Sequence, residues 1–212
     1  MQRFIQHKVD VEDPGARGKH KHGASLQHAP VDLSATNVFF IGPRASGKTT
    51  LARAVALELG LVCVDTDELV QKTSGKSIAS VVQDHGWEAF RDLEHKVLEQ
   101  VCAQAGQAVA TGGGIILRED NREIMRSTGW VFYLLAQPDV LQARLAEQND
   151  EAWRPSLSGM SPDTEAGQIM AEREPLYLQT LHYILPADRE VAELVQDVQE
   201  RLGVIGGSYR VL

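Results

Sequence analysis

Cysteine is scarce. Cys63 and Cys102 are the only two in 212 residues, in no spacing that holds zinc or makes a redox pair, so a disulfide or zinc scaffold is excluded. Both thiols are read as buried, Cys63 within the apolar run 61–64 and Cys102 on an apolar helix face. No apolar run approaches the roughly 18 residues of a membrane span, so no membrane partner is expected. The N-terminus lacks an apolar signal-peptide core, and a cytoplasmic location is expected. A basic balance is missing too. The formal net charge is −8, which argues against a nucleic-acid partner. What the chain does have is 43% hydrophobic residues, enough at this length for one sizeable core.

Residues 1–36 stand apart. They hold Pro14, Gly15, Gly18, Gly23 and Pro30 without sustained periodicity and read as a poorly ordered extension. The triplet His20-Lys21-His22 within it offers at most a weak metal site. From residue 37 onward, short apolar runs at 38–41, 61–64, 108–111, 131–135 and 183–185 read as strands. Helical patterns are expected at 48–59, 78–84, 88–105, 121–127, 140–148, 165–181 and 191–202. Such alternation predicts an α/β fold, a five-stranded parallel sheet with helices on both faces, and ligands at the carboxyl ends of the strands. Residues 149–164 break the pattern with Pro155, Gly159 and Pro162, and because Arg154 lies inside, the segment is read as a lid. Domain organisation follows: extension 1–36, main domain 37–203 and tail 204–212.

Gly42-Pro43-Arg44-Ala45-Ser46-Gly47-Lys48-Thr49 fits G-x-x-x-x-G-K-[ST] between a strand and a helix. The glycines let the backbone turn so that several N–H groups face one anion. Lys48 adds a point charge for β- and γ-phosphates, and the Thr49 hydroxyl suits Mg²⁺. A nucleotide user of net negative charge must gather its cations in one cleft, so arginines beside motifs carry the most information.

Four further motifs qualify. Asp65-Thr66-Asp67 ends the second strand. If extended geometry persists, its carboxylates point the same way, one toward Mg²⁺ and one toward a hydroxyl proton. Equally, Thr66 or Asp67 caps a helix opening at Glu68. Gly112-Gly113-Gly114 ends the third strand and is either a set of N–H donors for an anion or a flexible turn. In Phe90-Arg91-Asp92-Leu93-Glu94, Phe90 packs inward and Arg91 pairs with Glu94 or His95 at helical spacing, unless a ligand claims it. Arg173-Glu174-Pro175-Leu176-Tyr177 sets a proline in a helix, whose bend can aim Arg173 into the cleft. Arg144 reads by default as a solvated helix charge.

In order and spacing, these pieces resemble shikimate kinase from residue 37 to 202, closest to the form with an I-G-P-R P-loop start and an A-T-G-G-G-I-I-L third-strand motif. Here these are Ile41-Gly42-Pro43-Arg44 and Ala110-Thr111-Gly112-Gly113-Gly114-Ile115-Ile116-Leu117. The resemblance implies a nucleoside-monophosphate-kinase-like three-layer sandwich with a lid, acting as a cytoplasmic monomer. It implies transfer of the ATP γ-phosphoryl group to the 3-hydroxyl of shikimate, on the way to chorismate and aromatic amino acids. Lys48, Asp67 and Arg154 would be catalytic, with Asp67 the base toward the accepting hydroxyl. Residues 42–49 with Thr50, Arg144 and Arg154 would hold ATP, Arg144 near the adenine. Arg91, Arg173 and an N–H of Gly112, Gly113 or Gly114 would grip the shikimate carboxylate. Thr49 and Asp65 would hold Mg²⁺.

Two departures are visible. Pro186-Ala187-Asp188 stands where the family often has an aspartate-threonine pair near adenine, and Ser156 stands where leucine or threonine is usual. The rivals are another small-molecule kinase such as gluconate kinase, which would not need the Arg91/Arg173 pair, and a non-catalytic nucleotide-binding module, which would have lost Lys48, Asp67 or the lid arginine.

Overall fold

Asn37–Ile41 forms β1 at the centre of the sheet, buried at every position. The computed structural model describes residues 31–147 and 162–203. Arg154 of the expected lid, the His20/His22 pair and the tail from 204 lie outside the described residues.

The other strands are β2 (Val62–Asp65), β3 (Gln107–Ala110), β4 (Gly129–Leu135) and β5 (Tyr183–Pro186). All pair in parallel, in the order β2-β3-β1-β4-β5. With both faces covered, the inner strands read as continuous apolar runs rather than alternating ones. Val38 and Phe40 pack with Leu51, Val55, Leu194 and Val198 on one face. Phe39 and Ile41 pack with Leu98, Ile115, Met125 and Tyr177 on the other. In register, Phe40 lies beside Ala110 and Ala110 beside Asp65, so three strands end level. The P-loop, the Asp65 turn and the glycine run therefore leave the same edge of the sheet.

The helices are α1 (Lys48–Leu59), α2 (Thr66–Ser74), α3 (Ile78–Cys102), α4 (Glu119–Thr128), α5 (Pro138–Glu147), α6 (Pro162–Thr180) and α7 (Val191–Arg201), with one 3₁₀ turn at Ile115–Leu117. The stretches expected at 78–84 and 88–105 are one long α3 broken at Gly86, whose φ of 83° and ψ of 170° are non-helical. Helix α6 opens at Pro162, so the last residues of the expected lid segment 149–164 are helical. Among the described residues, no helix is long and apolar enough to cross a membrane.

Two expectations need correction. Cys63 is exposed and Cys102 only half-buried. Strand β2 is an edge strand with β3 as its sole neighbour, and its Val62 and Cys63 face solvent; Cys102 closes α3. Residues 31–36, grouped by sequence with the extension, also pack on the domain. Leu33 is 6% exposed within the core, and the Val31 N–H donates to the Leu202 carbonyl at 3.1 Å.

Candidate active site

The P-loop needs its glycines. Gly42 has φ 148°, and a Cβ there would sit 2.8 Å from the Leu134 carbonyl oxygen. Gly47 precedes α1 in the left-handed region, at φ 95°. Ala45 takes φ 61°, the one non-glycine residue with positive φ among the described residues. No acidic side chain occupies the first turn of α1, so its N-terminal N–H groups suit an anion. Lys48 is 8% exposed, and its Nζ donates to the Pro43 carbonyl at 2.7 Å. A cleft of about 470 Å³ opens here, lined among others by Arg44, Lys48, Asp65, Asp67, Gly113 and Arg144.

Asp65 does two things at once. Its Oδ1 accepts from the N–H groups of Asp67 (2.9 Å) and Glu68 (3.3 Å), which makes it the N-cap of α2. Its Oδ2 accepts from the Thr49 hydroxyl at 2.8 Å. The cap is thus Asp65, not Thr66 or Asp67, because the helix opens at Thr66. Extended geometry stops at Asp65 (φ −119°, ψ 119°), and Asp67 reaches the cleft from the first helical turn instead of from the strand. Thr66, fully buried, accepts the Gly112 N–H on Oγ1 at 3.0 Å.

The hydroxyl and carboxylate oxygens of Thr49 and Asp65 form a hard donor pair at the P-loop mouth, the chemistry Mg²⁺ prefers. Among the described residues no group of three or more His, Cys, Asp or Glu could hold a metal. The pair therefore fits an ion that keeps water and phosphate ligands better than one held in an all-protein cage.

The acceptor end is built on the glycine run. Gly114 lies flat against Arg91: a Cβ there would be 2.3 Å from Nη2. Arg91 Nη1 donates to Glu94 Oε2 at 2.5 Å, and Glu94 is fully buried. The guanidinium carbon also sits 5.0 Å from the centre of the Phe90 ring and 5.6 Å from that of Trp87. The helical pairing read from sequence is real, and it holds Arg91 beside Gly114 where a ligand can meet it. From α6, Arg173 Nη1 donates to the Gly113 carbonyl at 3.4 Å and the Tyr177 hydroxyl to the same oxygen at 2.6 Å. Behind it, Tyr133 stacks on Tyr177 at 4.9 Å, and burial pushes its phenol up to about 12.

At the far end, Arg144 is not a solvated charge. Its Nη2 donates to the Ala187 carbonyl at 3.0 Å and its Nη1 to that of Ala45 at 3.4 Å, tying the P-loop to the turn after β5. Arg189, which the sequence reading passed over, lines the cleft and pairs with Glu193 and Asp197 on α7. Its signal was an arginine four and eight residues before two acids. Tyr177 was spelled within a motif but given no role.

The described geometry brings together the P-loop, Asp65, Asp67, Gly112–Gly114, Arg91, Arg144 and Arg173 at one end of the sheet. Comparison with known proteins places the chain among relatives of one family. The family model for shikimate kinase matches residues 44–203. The chain is 43% identical over 169 residues to a shikimate kinase of Oleidesulfovibrio alaskensis, covering 80% of this chain and 98% of that one. It is 42% identical over 161 residues to shikimate kinase 2 of Yersinia enterocolitica, covering 76% and 92%. Among solved structures, shikimate kinase from Acinetobacter baumannii in complex with shikimate superposes with a TM-score of 0.74 at 28% identity, over 82% of this chain and 97% of that one. The enzyme from Bacteroides thetaiotaomicron gives a TM-score of 0.70 at 32% identity, over 79% and 98%.

Proposed function

The chain belongs to the shikimate kinase family, and from that premise we propose how its residues share the transfer of the ATP γ-phosphoryl group to the 3-hydroxyl of shikimate. The observation that carries the assignment is the convergence of Arg91 and Arg173 on the Gly113–Gly114 peptide, beside the P-loop cleft. Two guanidinium groups from different helices suit a planar carboxylate, and their fork geometry fixes the ring that carries it.

The backbone N–H groups of residues 42–49, Pro43 excepted, cradle the phosphates, with Thr50 alongside. Lys48 exchanges its Pro43 carbonyl for γ-phosphate oxygens. Arg144 braces the loop against the adenine side. Asp67, in the cleft wall, accepts the proton of the 3-hydroxyl as its oxygen attacks phosphorus. Arg154, outside the described residues, would add further positive charge to the phosphates. Thr49 and Asp65, already joined by a hydrogen bond, would hold Mg²⁺, which when bound would supply positive charge to the phosphates. The reaction needs positioning and charge more than covalent help, which is what this residue set offers.

The test is ADP formation from Mg-ATP with shikimate, with gluconate and with neither. Shikimate-dependent ADP release that falls at least about a hundredfold in kcat/KM in Arg91→Ala supports the assignment. A response to gluconate instead, or none to either compound, overturns it.

A further inference from the structure

We propose that Tyr177 is a positioning residue for the acceptor, fixing the Gly113–Gly114 peptide so that its N–H meets the shikimate carboxylate beside Arg91. The proposal rests on the assignment of Arg91 and Arg173 to that carboxylate.

The Gly113 carbonyl and the Gly114 N–H belong to one peptide unit. There are no cis peptide bonds among the described residues, so the two groups point in opposite directions across a rigid plane. Whatever holds the oxygen therefore aims the hydrogen. Within the glycine run, the Gly112 and Gly114 carbonyls accept from Ile115 and Leu117 at 3.1 Å, local turn bonds that move with the loop. The Gly113 carbonyl is anchored from another element, by Tyr177 at 2.6 Å and Arg173 at 3.4 Å. The shorter of the two bonds is the tyrosine's.

Glycines leave this backbone soft, so an external lock has something to do. Tyr177 is itself locked: fully buried, with its ring stacked on Tyr133 at 12° between planes. Spaced at i and i+4, Arg173 and Tyr177 share one face of α6. One helix thus supplies both a carboxylate-binding side chain and the clamp on the neighbouring backbone donor. An amide whose oxygen accepts a strong bond is also polarised into a better N–H donor. On its other side, Gly113 abuts the P-loop backbone, where an added Cβ would lie 3.4 Å from the Arg44 nitrogen.

Steady-state kinetics of the full chain, Tyr177→Phe and Tyr133→Phe test this, with shikimate and ATP varied separately and a thermal melt of each protein. Tyr177→Phe keeps the ring and its stack but deletes the clamp. The expected result is a shikimate KM raised about fivefold, the factor one net hydrogen bond controls. The ATP KM should stay within about twofold, and Tyr133→Phe should change neither. An unchanged shikimate KM overturns the proposal, as do equal rises in both KM values or the same rise in Tyr133→Phe. The last two would reveal a packing role only. All three leave the reaction itself standing. Absence of any shikimate response in the unmodified chain would overturn the reaction assignment, and this proposal with it.

Discussion

A methyl group at Gly114 is a probe of the acceptor end. The backbone there is ordinary, at φ −106°, so alanine brings no conformational penalty. Its Cβ would collide with the Arg91 guanidinium at 2.3 Å and push it off the buried Glu94 that holds it. Gly114→Ala should lose on the order of tenfold to a hundredfold in kcat/KM for shikimate and also lower the melting temperature, because the displaced guanidinium leaves Glu94 buried without its ion pair. Steady-state assays beside a melt check both halves. At this scale the sequence was legible where a motif fixes side-chain chemistry: Arg91, Arg173, Lys48 and Thr49 stand at the cleft or the glycine run. It was less legible where a one-residue offset decides the role. The start of α2 at Thr66 hands the cap to Asp65 and moves Asp67 from strand to helix. Nor does composition around Cys63 reveal that its strand is at an edge.

Between elements, the seam joining β4 and β5 depends on a histidine. The Val131 N–H donates to His182 Nδ1 at 3.0 Å, so that nitrogen must carry no proton. Burial pushes the imidazole below its ordinary value of 6.5, and Arg126 adds to the shift. The unfolded chain then takes up the proton at a higher pH than the folded one. The histidine's contribution to stability is full above about pH 6.5 and is lost as the pH falls from there through the lowered folded value. His182→Asn keeps a neutral acceptor that does not titrate. Melting temperatures measured from about pH 7.5 to about 5.5 should fall less steeply in His182→Asn than in the unmodified chain; equal slopes would rule the histidine out. Element boundaries were legible where glycine interrupts a periodic run, as at Gly86 in α3. Helix α2 was absent from the expected helical stretches and entered only as an alternative helix opening at Glu68, for a physical reason. It buries only Thr66 and Val70, too little for an apolar stripe, and its cap and its contact with α3 fall outside any periodic pattern.

For the molecule as a whole, net charge and chain ends matter most. An acidic chain gathers Arg44, Lys48, Arg144 and Arg189 into one cleft, as a polyanionic ligand requires. The boundary of the folded unit lies earlier than composition implied, since Leu33 reaches the core. Removal of residues 1–30 should leave stability and kcat unchanged. Removal through residue 34 should cost about 2 kcal/mol, the burial of one leucine, measured by denaturant melts of the two truncations. The edge position of β2 also has a practical consequence. Cys63 is the exposed thiol of the two, and it shares a strand face with Asp65 two residues on. Partial desolvation of the sulfur still raises its pKa, and the charges of Arg53, Asp65 and Glu68 also act on it. The protein thus carries a native attachment point for a fluorophore, whose labelling rate and emission would track changes of charge at the carboxylate beside the P-loop.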